Sequence, residues 1–290
     1  VKRLYIYLFI IVLLFTTITM GCNRKEEEKK AENEKPPSTM KEFQKLTDQV
    51  VESTMEKKWA DSLTKTKEIQ SKWNELYPDL QKKGISKDNV DSFVKDLNVL
   101  SDALIAKTLE LPAVEIQEES KPPVDEQQSG EEESQQTSAQ QSSDENEKKE
   151  QDPEKALLEV DPMLGITQQE LVVVDASVEL LKHIPNFILL FDAPVPAPVY
   201  QLKYLVYNTN LTSKKGNWNE TDKTMKEINE TWSTVETKAL EANEDAKTQI
   251  DQSIKELEIV IKQRNERLVG LKSNVTIEVI EKLIEAFEKE

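Results

Sequence analysis

His183 is the only histidine in the 290-residue chain and Cys22 its only cysteine, so the usual groups for nucleophilic and acid–base chemistry are scarce. A Ser/His or Cys/His pair needs a base within reach of its nucleophile. His183 stands just before Ile184-Pro185 at the end of a helical pattern, with no partner pattern around it. A bundle-type metal site would ask for Glu-x-x-His pairs from facing helices, but Leu180 lies three residues before His183 and Glu179 four. We therefore expect no catalytic residue, no metal and no cofactor. His183 reads as a structural or surface residue, with a ligand or proton-transfer role as the weaker alternative. A carboxylate-only enzyme such as a cell-wall hydrolase would use two acidic groups across a cleft, and 55 Asp and Glu residues hide any such pair.

Other side chains suggest binding. Asp222 occupies a helix-stripe position held by a leucine, Leu63, in a related stretch, where an isolated buried carboxylate would be costly. It must reach solvent, find a partner or line a polar site. Tyr200, Tyr204 and Tyr207 form a face of large rings with polar tips. That face suits a contact between helical units or the binding of a polysaccharide, peptide or other apolar partner. Four tryptophans fall in two pairs, Trp59 with Trp73 and Trp218 with Trp232, each 14 residues apart. Such a pair lies on one helix face, about 21 Å apart at 1.5 Å per residue, too far for one small ligand. The rings read as anchors at the ends of a core stripe.

The cysteine has its own setting. Lys2 and Arg3 precede an apolar run from Leu4 to Ile18, and Thr19-Met20-Gly21 leads into Cys22. This is the order of an export signal, and it resembles a bacterial lipobox with Thr19 where a branched aliphatic residue is usual. The resemblance implies a signal segment 1–21, diacylation of the Cys22 thiol and a lipid anchor on the outer face of a membrane. A retained anchor is the competing reading, and both put the remainder outside the cytoplasm.

From Pro112 to Lys155 there are 14 Asp or Glu against 4 Lys, which concentrates most of the net charge of −17 in that segment. It cannot bury enough apolar surface to offset about 1–2 kcal/mol per residue of backbone ordering, so 112–155 is expected to be a disordered insertion. It lacks the spacing of a calcium loop. Residues 22–39, with mixed charges and Pro36-Pro37, read as a flexible tether.

The elements that must position these residues are helices. Apolar residues recur at steps of three and four, without sustained alternation. Capping boxes are expected at Thr39-x-x-Glu42 and Thr167-x-x-Glu170, and a helix start at Ser86 with Ile85 and Val90 as a hydrophobic staple. Pro78 is expected to end the Trp59 helix. A shift of 159 places Phe43, Leu46, Trp59 and Trp73 on Leu202, Leu205, Trp218 and Trp232. One further residue aligns Val90, Val94, Leu97 and Leu100 with Ile250, Ile254, Leu257 and Val260, and Leu171, Val174 and Val178 share their spacing with Leu268, Leu271 and Val275. The expectation is an all-α protein of two tandem four-helix-bundle-like repeats, 40–192 and 199–290, joined by a proline-rich connection. The first helix of the second repeat, apolar on most sides, belongs at the contact between them.

The W-x13-W pairs, Ile259 to Arg264 (I-V-I-K-Q-R) and Leu180 to Pro185 (L-L-K-H-I-P) resemble a bacterial domain of unknown function found in membrane-anchored proteins of Gram-positive lineages. The resemblance implies an extracytoplasmic helical domain without a known activity. This chain departs from it in carrying two copies and a lipobox. The sequence thus points to a non-enzymatic binding or scaffolding module of the cell envelope. It would be held to the membrane through lipid on Cys22 and would meet an envelope protein, polysaccharide or small solute. The alternative is a lipoprotein capturing a cation or small solute for uptake. Nucleic acid is excluded as a partner by the acidic balance and the lack of a basic, aromatic-interleaved patch.

Overall fold

The Thr167 hydroxyl accepts from the Glu170 amide at 3.3 Å while the Glu170 carboxylate accepts from the Thr167 amide at 2.8 Å, so the second capping box forms as the sequence suggests. The computed structural model describes residues 34–110, 163 and 165–289. The expected signal segment, Cys22, most of the tether and the acidic insertion 112–155 lie outside the described residues. Among the described residues the fold is all-α, without strands. We number the helices α1 (Ser38–Met55), α2 (Trp59–Lys82), α3 (Lys87–Glu110), α4 (Gln168–Leu181), α5 (Ile184–Ile188), α6 (Ala197–Lys214), α7 (Trp218–Ala242), α8 (Glu244–Lys262) and α9 (Glu266–Lys289).

Most helix starts have a side-chain cap that satisfies an orphan amide. Ser86 Oγ accepts from the Asn89 amide ahead of α3. Asn217, Asn243 and Asn265 do the same ahead of α7, α8 and α9. Two expectations fail locally. The Thr39 capping box does not form, because α1 already begins at Ser38 behind an extended Pro37, and the Glu42 carboxylate turns to Lys72 of α2 at 2.8 Å. Pro78 does not end α2, which runs on to Lys82. Leu76 and Leu80, both fully buried on either side of Pro78, hold the helix together across the missing amide donor.

Helices α1 to α4 close a four-membered ring in which α1 meets α2, α2 meets α3, α3 meets α4 and α4 returns to α1. Helices α6 to α9 close a second ring with the same adjacency. In the first ring Phe43, Trp73, Phe93 and Phe187 pack together, with the Trp73 and Phe93 ring centres 4.3 Å apart. Rings of this size dominate core energetics, at roughly 3–5 kcal/mol for truncation to alanine. The second core is aliphatic, around Leu205, Ile228, Ile250, Leu257 and Leu283, with Trp232 at its edge.

Equivalent residues 159 apart make equivalent bonds. Ser62 Oγ donates to Ser53 Oγ at 2.8 Å in the first ring, and Thr221 Oγ1 donates to Thr212 Oγ1 at 3.0 Å in the second. Just before α2 and α7 the chain turns through the left-handed region at Lys57 (φ 60°) and Gly216 (φ 70°), as a helix C-terminus commonly does. The fourth helices match by burial one residue earlier than the leucine spacing suggests. Val173, Ser177, Leu181 and Ile184 correspond to Val269, Ser273, Ile277 and Ile280, all buried, whereas Leu268, Leu271 and Val275 are only partly covered.

The rings share a seam. Val51 and Met55 of α1 and Leu171, Val174, Val178 and Leu181 of α4 lie in the apolar cluster of the second ring, against α6. That explains why α6 is buried almost all round.

Candidate functional site

His183 follows α4, just where the chain turns into α5. The ring is 3% exposed, lies 5.5 Å from Phe93 in an edge-on contact, and shares a hydrogen bond of 2.8 Å between Nε2 and Asp96 Oδ2 of α3. Asp96 also pairs with Lys182 at 3.0 Å. Burial pushes the His183 pKa below its ordinary value, and the Asp96 carboxylate only partly offsets this. Burial would raise Asp96, but its bonds to His183 and Lys182 outweigh it and hold the carboxyl below the usual range. His183 is thus a buried polar contact between helices, with its Nε2 committed to Asp96.

Asp222 finds a partner at the surface. Arg264, in the turn between α8 and α9 with φ 55°, reaches back to grip both carboxylate oxygens at 2.8 and 2.7 Å. The same guanidinium lies over the half-buried Trp218 ring, 5.4 Å from its centre. The two hydrogen bonds from Arg264 hold the Asp222 carboxyl below its usual range. Of the three fates the sequence left to Asp222, the structure displays an exposed ion pair. Trp232 is an anchor with its indole N–H bonded to Asp251 at 2.7 Å, and Trp59 and Trp73 are buried in the first core.

The tyrosines gather at the joint between the rings. Tyr204 donates to Glu179 of α4 at 3.2 Å, Tyr207 is buried, and Tyr200 touches both apolar clusters. Burial pushes the Tyr200 hydroxyl up to about 12, so all three rings stay neutral phenols in the physiological range.

On the same helix lies the group that sequence reasoning missed. Lys203 is 4% exposed, and its ammonium meets Asp48 Oδ1 of α1 at 2.8 Å and Glu281 Oε1 of α9 at 3.0 Å. Burial alone would lower its pKa, but Asp48, Tyr207 and Glu281 more than compensate and leave it raised. Burial raises the Asp48 carboxyl in spite of Lys203, although the side chain keeps 32% of its surface open to the cleft. Glu52, one turn along α1, is raised by burial and then by Asp48. The signal for Lys203 was present: a lysine between Leu202 and Tyr204, on a helix expected to be buried on most sides, requires a countercharge.

Above this ion cluster a cleft of about 500 Å3 opens between α1 and α9. Tyr200 and Lys203 belong to its lining together with Gln44, Asp48 and Glu52 from α1 and Glu281 and Ile284 from α9. Lys41 of α1 reaches Glu288 of α9 at 2.9 Å. The volume lies within the range of small-molecule sites, and the lining mixes charged side chains with the apolar surface of Tyr200 and Ile284. Among the described residues no group of three or more His, Cys, Asp or Glu side chains is arranged to hold a metal ion, and no helix is long and apolar enough to cross a membrane. Comparison with family models, curated proteins and solved structures finds no match for this chain.

Proposed function

We propose that the chain is an exported, lipid-anchored protein of the cell envelope whose helical body acts by binding or scaffolding and not by catalysis. One observation bears on the non-enzymatic half: the only imidazole, His183, is buried and hydrogen-bonded to Asp96, and the Lys203 ammonium is buried and paired with Asp48 and Glu281, so neither is free to face a substrate. A general acid or base must instead face its substrate within hydrogen-bond reach. The anchoring half rests on the apolar run from Leu4 to Ile18 and on Cys22 after Gly21. The matching hydroxyl bonds 159 residues apart support descent of the two rings from one duplicated unit. The resemblance to a membrane-anchored domain family, carried by the W-x13-W and L-L-K-H-I-P motifs, fits this reading and names no activity.

The test is retrieval of the lipidated protein from membranes, followed by reconstitution with any co-purifying component. Direct binding of that component by the purified chain supports the proposal. Turnover of a wall polymer by the purified chain, abolished by Asp48→Asn, would overturn it.

The cleft between α1 and α9 favours a second reading, the capture of a small solute. A solute present at 100 times its Kd stabilises the folded chain by about 2.7 kcal/mol. A screen of cations, sugars and wall fragments should then yield a Tm shift that Tyr200→Ala removes. A flat screen rejects solute capture and leaves the scaffold.

A further inference from the structure

The cluster beneath the cleft holds more negative charge than Lys203 can balance. Its ammonium pairs with Asp48 and Glu281, while Glu52 adds a third carboxylate one turn after Asp48. Like charges at that spacing on a helix disfavour each other, and Glu52 lies in the last turn of α1, where the helix dipole is also negative. The surrounding groups do not restore balance. From α1 come Lys41 and Lys45, and from the turn after it Glu56, which is paired with Lys58 at 2.7 Å. From α9 come Glu285, paired with Lys289 at 3.5 Å, and Glu288, paired with Lys41. From α6 the neighbours are the neutral Tyr200 and Tyr207. Each of these outer carboxylates has its own ammonium partner, so the excess lies in the inner cluster, where Asp48, Glu52 and Glu281 face the single ammonium of Lys203.

The three elements that supply the charges belong to different rings: α1 to the first, α6 and α9 to the second. Asp48 and Glu52 repel each other within α1, while Glu281 of α9 repels both of them across the joint. The cleft gives water, and with it protons, access to the Asp48 and Glu52 side chains.

We propose that the Asp48–Lys203–Glu281 cluster, with Glu52 beside it, is a proton-linked clamp that holds the two rings together more firmly as the pH falls. Taking up one proton on Asp48 or Glu52 removes a negative charge from the cluster and leaves Lys203 with a full countercharge. Burial raises both carboxyls in the folded chain. With folded values above unfolded ones, the folded state binds more protons between the two. Stability then grows as pH falls through the folded values and is lost as pH rises through them. This is the reverse of the usual carboxylate contribution, and it depends on the joint alone, whatever the cleft binds.

Glu52→Gln imitates the protonated form at a side chain that keeps contact with solvent although its carboxyl is partly desolvated by the cluster, and it should fold. Urea midpoints of the full chain in detergent would be measured from about pH 8 to about pH 5 for wild type and variant, a window above the ordinary carboxylate range. The clamp requires the variant to have the higher midpoint at the alkaline end, with the difference closing towards the acid end. A difference that does not change with pH, or a variant less stable at the alkaline end, overturns it. Hydrogen exchange of wild type, corrected for the intrinsic pH dependence, supplies the second readout. Protection of α1 and α9 amides should rise on acidification relative to those of α7, which lies away from the His183–Asp96 contact. A uniform change would remove the joint as the responsible place.

Discussion

Lys203 of the second ring sits 2.8 Å from Asp48 of the first, and this buried contact crosses the joint where α6 is enclosed by both rings. Such a pair gives weak evidence of net stabilisation, because desolvation offsets much of the attraction, yet removing one partner is costly. Lys203→Met should destabilise the chain by roughly 3 kcal/mol, the lower end of the range for broken buried pairs, since Asp48 and Glu281 both keep contact with water. Lys203→Met combined with Asp48→Leu should recover part of that loss. Urea unfolding decides this, and a double variant as unstable as the sum of its parts would show that the two residues do not act as a pair.

The matching bonds of the two rings predict matching costs. Ser62→Ala and Thr221→Ala each remove a buried hydroxyl that donates to its counterpart on the preceding helix, and each should cost about 1 kcal/mol. Measured losses differing several-fold would mean that the corresponding positions carry different loads.

His183 supplies a clean titration because the chain has no other histidine. Its depressed folded value means that the unfolded chain binds the proton first, so stability present near neutrality is lost as the pH falls below about 6.5. The single imidazole resonance should titrate with a midpoint below that of a free histidine. A midpoint above it would show that Asp96, and not burial, controls the ring.

Asp222→Leu should have a smaller effect on the unfolding midpoint than Ser62→Ala. The carboxylate is exposed and its pairing with Arg264 is screened by solvent. Loss of solute binding in this variant, without loss of stability, would restore Asp222 as a site.

Helix positions were legible because stripes such as Phe43, Val50 and Thr54, or Trp59, Ile69 and Trp73, follow the period of a helix packed on one side. The end of α2 was not legible. Local propensity argues for a stop at Pro78, and only the tertiary burial of Leu80 overrides it. The offset of the fourth helices was misread for a related reason: leucines at 268 and 271 look like core, while the packed face carries Gly270 and Ser273. The tyrosines lie at the joint between the rings, one of the two settings their face suited. Its central residue went unnoticed because the countercharges for Lys203 come from Asp48 and Glu281, far away in sequence and assembled only by the fold.

In the proposed function a helical binding body is held to a membrane through one thiol, that of Cys22. Growth of cells expressing the chain with a labelled fatty acid, followed by recovery of the protein from the membrane fraction, tests that claim most directly. We predict label on the wild-type chain and none on Cys22→Ala; label retained by Cys22→Ala, or a wild-type chain without label, would contradict it.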